Sequence, residues 1–171
     1  MVVGFDAGAS KQYFEYGVNY YIDGDYDEAE KNFKASLKKS GKDSESFYFL
    51  GMIEKIEGNY DKAEYYFLKS IREDKYNTAS YESLSDIYVE ESNFELAIEY
   101  YTKAIQYKSS SLDAFDGRHA LYAKRAKAYE RLGEKWLALE DYKRSLLHSK
   151  NSSFLNYAGS AISRLEKEVV R

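Results

Sequence analysis

The sequence predicts an all-α chain made of stacked helix–turn–helix units, and three observations predict it. First, one ten-residue stretch recurs. Gly24 to Phe33 reads G-D-Y-D-E-A-E-K-N-F, Gly58 to Phe67 reads G-N-Y-D-K-A-E-Y-Y-F, and Ser92 to Tyr101 reads S-N-F-E-L-A-I-E-Y-Y. A more divergent copy, Gly133 to Tyr142, reads G-E-K-W-L-A-L-E-D-Y. The central alanines Ala29, Ala63, Ala97 and Ala138 lie 34, 34 and 41 residues apart, and a fixed period near 34 marks a stacked array. Second, apolar residues recur at helical spacing on both sides of each copy's opening. Third, the chain has no proline, the residue that helix interiors exclude.

Residues 1–9 carry two glycines and no period, which reads as a flexible lead-in whose Val2, Val3 and Phe5 could dock on an apolar surface. The first unit spans residues 10–43. Tyr13, Tyr16, Gly17 and Tyr20 share one helical face, Gly24 and Asp25 break the helix, and Tyr26, Ala29, Phe33 and Leu37 mark the inner face of the next. The second unit, 44–77, repeats this with Phe47, Leu50, Gly51 and Glu54, then Tyr60, Ala63, Phe67 and Ile71. The third, 78–111, has Tyr81, Leu84, Ser85 and Tyr88, then Phe94, Ala97, Tyr101, Ala104 and Ile105. The fourth, 112–152, has Tyr122, Ala126 and Tyr129, then Ala138, Tyr142 and Leu146.

Gly17, Gly51, Ser85 and Ala126 share a slot where a small residue lets two helices approach closely. A mid-helix glycine costs about 1 kcal/mol against alanine, so two in one slot point to a packing need. Asp25, Asn59 and Asn93 stand where the second helices begin and are N-cap candidates. The longer last step is a seven-residue insertion around Leu112 to Arg118. Seven residues is close to two helical turns, so the spacing predicts a longer first helix in the fourth unit, starting near Ser111 with Asp113 in its first turn. The alternative is a loop around Gly117. Residues 153–171 read as an amphipathic capping helix, with Phe154, Tyr157, Ala158, Ala161, Ile162, Leu165 and Val169 as its apolar residues and Arg164, Glu166, Lys167 and Glu168 as its polar outer face.

These units resemble tetratricopeptide (TPR) repeats. That pattern places a small residue eighth, an aromatic eleventh, alanine twentieth and an aromatic twenty-fourth, and the chain keeps them over roughly residues 10–151 save at Glu54, the eleventh place of the second unit. It departs at the thirty-second place, where Gly41, Lys75, Ser109 and Lys150 stand instead of proline. The resemblance implies a right-handed superhelical solenoid of four repeats plus the C-terminal capping helix. It further implies a concave groove lined by the first helices. The groove places are Phe14, Val18, Tyr21 and Ile22 in the first unit, and Tyr48, Met52 and Ile56 in the second. The third contributes Glu82, Asp86 and Glu90, and the fourth Lys127 and Arg131. The front of this face is apolar, which marks a contact surface. An extended or helical peptide would lay apolar anchors over the first two units and a basic group near the three acids. The chain lacks the carboxylate clamp of some chaperone-binding TPR domains, whose places here hold Phe14, Val18, Phe49, Ala79 and Ser83.

Composition narrows the function classes. The net charge of −4, mixed in sign, lacks the clustered basic face that nucleic acid requires. No apolar run approaches the ~18 residues of a membrane span, and no secretory signal stands at the start. With no cysteine there is no disulfide or thiolate site. His119 and His148 show no metal-ligand spacing, and no catalytic motif occurs, so no catalytic residue, metal or cofactor is expected. The nineteen tyrosines fall mostly in repeat slots and read as packing. The sequence thus predicts a cytoplasmic, non-catalytic adaptor that binds a protein or peptide partner. The alternatives are a self-associating structural subunit (a homo-oligomer), a client-specific chaperone, or a designed repeat array without a native partner.

Overall fold

Helix ends in this chain are set by short polar side chains and left-handed turns. The computed structural model describes residues 6–108, 117–147, 149 and 151–169, and every regular element among them is a helix. These are α1 (Ala7–Asp23), α2 (Tyr26–Ser40), α3 (Ser44–Ile56), α4 (Tyr60–Glu73), α5 (Thr78–Glu90), α6 (Phe94–Lys108), α7 (Arg118–Arg131), α8 (Lys135–Leu147) and α9 (Ser152–Val169). Asp6 caps α1 by accepting from the Ala9 amide at 3.0 Å, so α1 opens at Ala7, three residues before the expected start of the first unit. Asp25, Asp43 and Asn93 accept in the same way from Glu28, Ser46 and Leu96. Asn59 does not: its amide donates to Glu54 at 2.9 Å and Glu57 at 3.1 Å. Between paired helices the backbone turns left-handed at Gly24, Gly58 and Gly133, and at Ser92, where a side chain tolerates φ 60°.

The chain divides into two compact units, 1–80 and 81–171, with the boundary inside α5. In the first, α1 packs on α2, α2 on α3 and α3 on α4. Its core holds Ala29, Phe33, Leu50 and Ile53, with Phe14, Val18, Tyr21 and Phe49 partly buried against them. The small-residue slot has a direct cause. A Cβ on Gly17 would sit 2.7 Å from the Phe33 ring, and one on Gly51 2.7 Å from the Phe67 ring.

A seam of hydroxyls closes both helix pairs at matching places. Ser10 and Ser36 meet at 3.1 Å between α1 and α2, and Ser44 and Ser70 at 3.0 Å between α3 and α4. Ser80 extends the second pair by donating to Ser70 at 2.8 Å. Buried hydroxyls left without partners are costly, so Ser70→Ala is expected to destabilise the fold by about 1–2 kcal/mol in urea unfolding, against no measurable change for a serine facing solvent.

In the second unit α5 meets α6 through the rings of Tyr81, Tyr88 and Tyr100. Then α6 packs on α7, α7 on α8 and α8 on α9. Ala126, Ala138, Tyr142, Ala158 and Leu165 form the centre of one fully buried cluster. Arg125 of α7 and Asp141 of α8 form a buried, two-pronged ion pair at 2.7 and 2.8 Å, and Arg125 also donates to Thr102 of α6 at 2.8 Å. Burial alone would lower the basicity of Arg125, but the Asp141 carboxylate outweighs it and the guanidinium is held more basic than usual.

The expected long first helix of the fourth unit is corrected in part. Gly117 takes φ 74°, outside helical space, so α7 begins at Arg118 and no helix runs unbroken from Ser111 into it. The rest of that expectation, with Ser111 and Asp113, falls outside the described residues, as do Val2, Val3, Phe5 and His148.

Candidate functional site

In the first unit the nominated face is more enclosed than its slots suggest. Phe14 lies 5.8 Å from the Phe33 ring and 5.9 Å from Phe49. Tyr21 lies 5.2 Å from Phe49, and Val18 packs against the same cluster. Tyr48 rests edge-on against Phe49 at 5.4 Å and tilted on Phe67 at 6.0 Å. Met52 is half-buried. The hub is Phe49, stacked on Phe33 at 5.0 Å, which sequence slots did not single out. Its signal is an aromatic where the matching places hold Glu15, Ser83 and Lys124. Ile22 (74% exposed) and Ile56 (49%) are the members of the nominated face open to solvent. Conversely, Tyr13 (37%), Tyr16 (46%) and Tyr20 (38%), expected to pack inward, are exposed.

In the second unit the nominated residues of α5 and α7 come together. Asp86, Lys127 and Arg131 line one pocket of about 400 Å³ between α5, α6 and α7, floored by Val89, Phe94 and Ala128. Tyr101, Lys124 and Glu130 complete its wall. Lys124 was not nominated, yet it organises the acids. Its ammonium donates to Glu82 at 2.9 Å and to both Asp86 oxygens at 2.8 and 3.0 Å. The Tyr101 hydroxyl donates to Asp86 at 2.5 Å. Burial, with the neighbouring Asp86 charge, drives that hydroxyl's pKa far upward, so it stays a donor. Burial works against the Lys124 charge, but its bonds to Asp86 and Glu82 outweigh burial and raise its pKa. The chain's own Lys124 therefore stands where a ligand's basic group was expected. Glu90, exposed at the end of α5, does not line the pocket.

On the other wall, Glu130 accepts from the Tyr142 hydroxyl at 2.8 Å and from Arg164 at 2.5 Å. Lys127 sits 5.3 Å over the Tyr157 ring, and Arg131 4.6 Å over Phe94. Among the described residues no group of histidines and acids could hold a metal ion, and no helix is long and apolar enough to cross a membrane. Among the described residues the His119 Nδ1 is buried without a hydrogen-bond partner, and its ring lies edge-on to Phe154 at 4.9 Å.

Two family models, both described as tetratricopeptide repeat, match residues 17–78 and 78–111. No curated protein matches the chain. Among solved structures, pilF of Pseudomonas aeruginosa is 18% identical over 95% of this chain and 71% of that one, with a TM-score of 0.77. A thermophilic TPR protein of Thermus thermophilus is 22% identical over 94% of this chain and 83% of its own, with a TM-score of 0.64. The N-terminal domain of stress-induced protein-1 from C. elegans is 18% identical over 69% of this chain and 93% of its own, also at 0.64. Identities this low speak for the fold alone, an all-α TPR solenoid. With the repeat period, the small-residue slots against Phe33 and Phe67, and family models spanning residues 17–111, the chain belongs to the tetratricopeptide repeat family.

Proposed function

We propose that this protein is a non-catalytic adaptor of the cytoplasm that binds a peptide or helix of a partner protein, seated in the α5–α7 pocket. Proteins with this fold typically mediate protein–protein interaction and generally work as non-catalytic scaffolds. One observation carries the reading: the pocket presents an apolar floor of Val89, Phe94 and Ala128 beneath a charged rim. Such a mix of apolar surface and few placed polar groups is what a ligand site needs. Ile22 and Ile56 offer apolar contact on the first unit.

A photo-crosslinking residue tests this directly. With Val89→p-benzoylphenylalanine in cells, the expected adduct joins the pocket to a single segment of a second protein, identified by mass spectrometry. Adducts only with another copy of this chain would replace the adaptor reading by self-association, for which the exposed Tyr13, Tyr16 and Tyr20 on α1 speak. No adduct at all would refute the pocket as the binding site. Alanine at Tyr48 is a poorer probe, because its ring also packs on Phe49 and Phe67 and its loss would lower stability as well.

A further inference from the structure

We infer that the α5–α7 pocket takes a partner segment in which an apolar side chain is flanked by carboxylates, an inference that rests on the peptide-binding reading above. The reason is an imbalance in how the pocket's charges are already satisfied. Every acid in its wall has donors from the chain itself. Asp86 accepts from Tyr101 and Lys124, and the adjoining Glu82 also accepts from Lys124. Glu130 accepts from Tyr142 and Arg164. A ligand ammonium arriving at Asp86 would have to displace Lys124, which is tethered in place and competes at the high effective concentration of an intramolecular group.

The bases are in the opposite condition. Among the described residues of the second compact unit, ion pairs engage Lys103, Lys124, Arg125, Lys135, Lys143, Arg144 and Arg164 but neither Lys127 nor Arg131. These two stand four residues apart on α7, hence on one helix face and within reach of one ligand. Arg131 sits 4.6 Å over the Phe94 ring, a cation–π contact that uses none of the guanidinium's hydrogen-bond donors and so leaves them to a ligand carboxylate. The same pocket that the two cations line also exposes the apolar groups of Val89, Phe94 and Ala128. A complementary ligand therefore places a leucine- or phenylalanine-like group on the floor and carboxylates at the rim. The cations occupy the ninth and thirteenth places of the fourth unit, so this is not the clamp whose places hold Phe14, Val18, Phe49, Ala79 and Ser83.

The test uses the full chain and three capped, fluorescein-labelled peptides with cores Glu-Leu-Phe-Glu, Gln-Leu-Phe-Gln and Lys-Leu-Phe-Lys, followed by anisotropy at low and high salt. The acidic peptide is expected to bind about 10-fold tighter than the neutral one, with the margin shrinking as salt rises. The double variant Lys127→Glu/Arg131→Glu is expected to reverse the order in favour of the lysine peptide. Both side chains are exposed, and unchanged circular dichroism serves as the folding control. A wild-type preference for the neutral or lysine peptide overturns the ligand chemistry while leaving the adaptor function standing. So does an acidic preference that survives the charge reversal. Failure of all three peptides likewise refutes this ligand class, and the crosslinking outcome then decides the function separately.

Discussion

Asp141→Ala is expected to cost about 3–5 kcal/mol of stability, the usual penalty for stripping one partner from a buried ion pair. The side chains of Arg125 and Asp141 are almost wholly out of water, 9% and 3% exposed. Removing the carboxylate leaves a guanidinium enclosed by α6, α7 and α8 with only the Thr102 hydroxyl as acceptor. The rings of Tyr122 and Tyr129, 5.7 and 5.9 Å away, return part of the loss through cation–π attraction but cannot replace a two-pronged bond. Urea unfolding followed by circular dichroism reads the effect as a lower midpoint with the slope retained. The double variant Arg125→Met/Asp141→Leu separates pair energy from packing. With both charges gone and volume kept, most of the stability is expected to return. If Asp141→Ala alone shifts the midpoint no more than an exposed substitution does, the pair is not the keystone of this unit.

The second large effect lies at Phe67, where the ring fills the space that Gly51 leaves open. Phe67→Ala is expected to cost about 3–5 kcal/mol, because a fully buried ring is lost and helices set this close cannot collapse onto the void. Gly51→Ala should destabilise by about 1–2 kcal/mol. Overpacking against the ring costs more than the roughly 1 kcal/mol that alanine gains in helix propensity. The two changes must couple: in the Phe67→Ala background, Gly51→Ala is expected to become neutral or stabilising. Additive effects in that cycle would mean the glycine slot serves something other than ring packing. The same relation holds between Gly17 and Phe33, where the corresponding distance is again 2.7 Å.

The parts legible in the sequence were those written in its period. Ala29, Ala63, Ala97 and Ala138 are all fully buried, as are Phe33 and Phe67, because repeated slots report repeated surroundings. What the period could not show were contacts peculiar to one place. Lys124 reaches Asp86 across thirty-eight residues and Arg125 reaches Asp141 across sixteen, and neither pairing recurs in the other units. Phe14 and Tyr21 were assigned outward from their slots. Phe49 on α3, an aromatic without counterpart elsewhere, draws them into partial burial. Tyr13, Tyr16 and Tyr20 show the converse, standing exposed in the slots where Tyr81, Leu84 and Tyr88 are buried. At the pocket the slots named Lys127 and Arg131 on α7 but not Lys124, whose bonds to Glu82 and Asp86 belong to one place and follow no period.

The attachment of α9 has a consequence for how the molecule responds to its ionic surroundings. Its links Lys135–Glu168, Lys143–Glu166 and Arg164–Glu130 all sit in partly wetted positions, whereas Ala158 and Leu165 are sealed completely. Wetted pairs contribute at most ~1 kcal/mol each and fade with added electrolyte, while the greasy seam does not. Brine would thus weaken the outer pairs while the sealed seam keeps α9 seated, so the helix's attachment is expected to survive salt that erases its ion pairs.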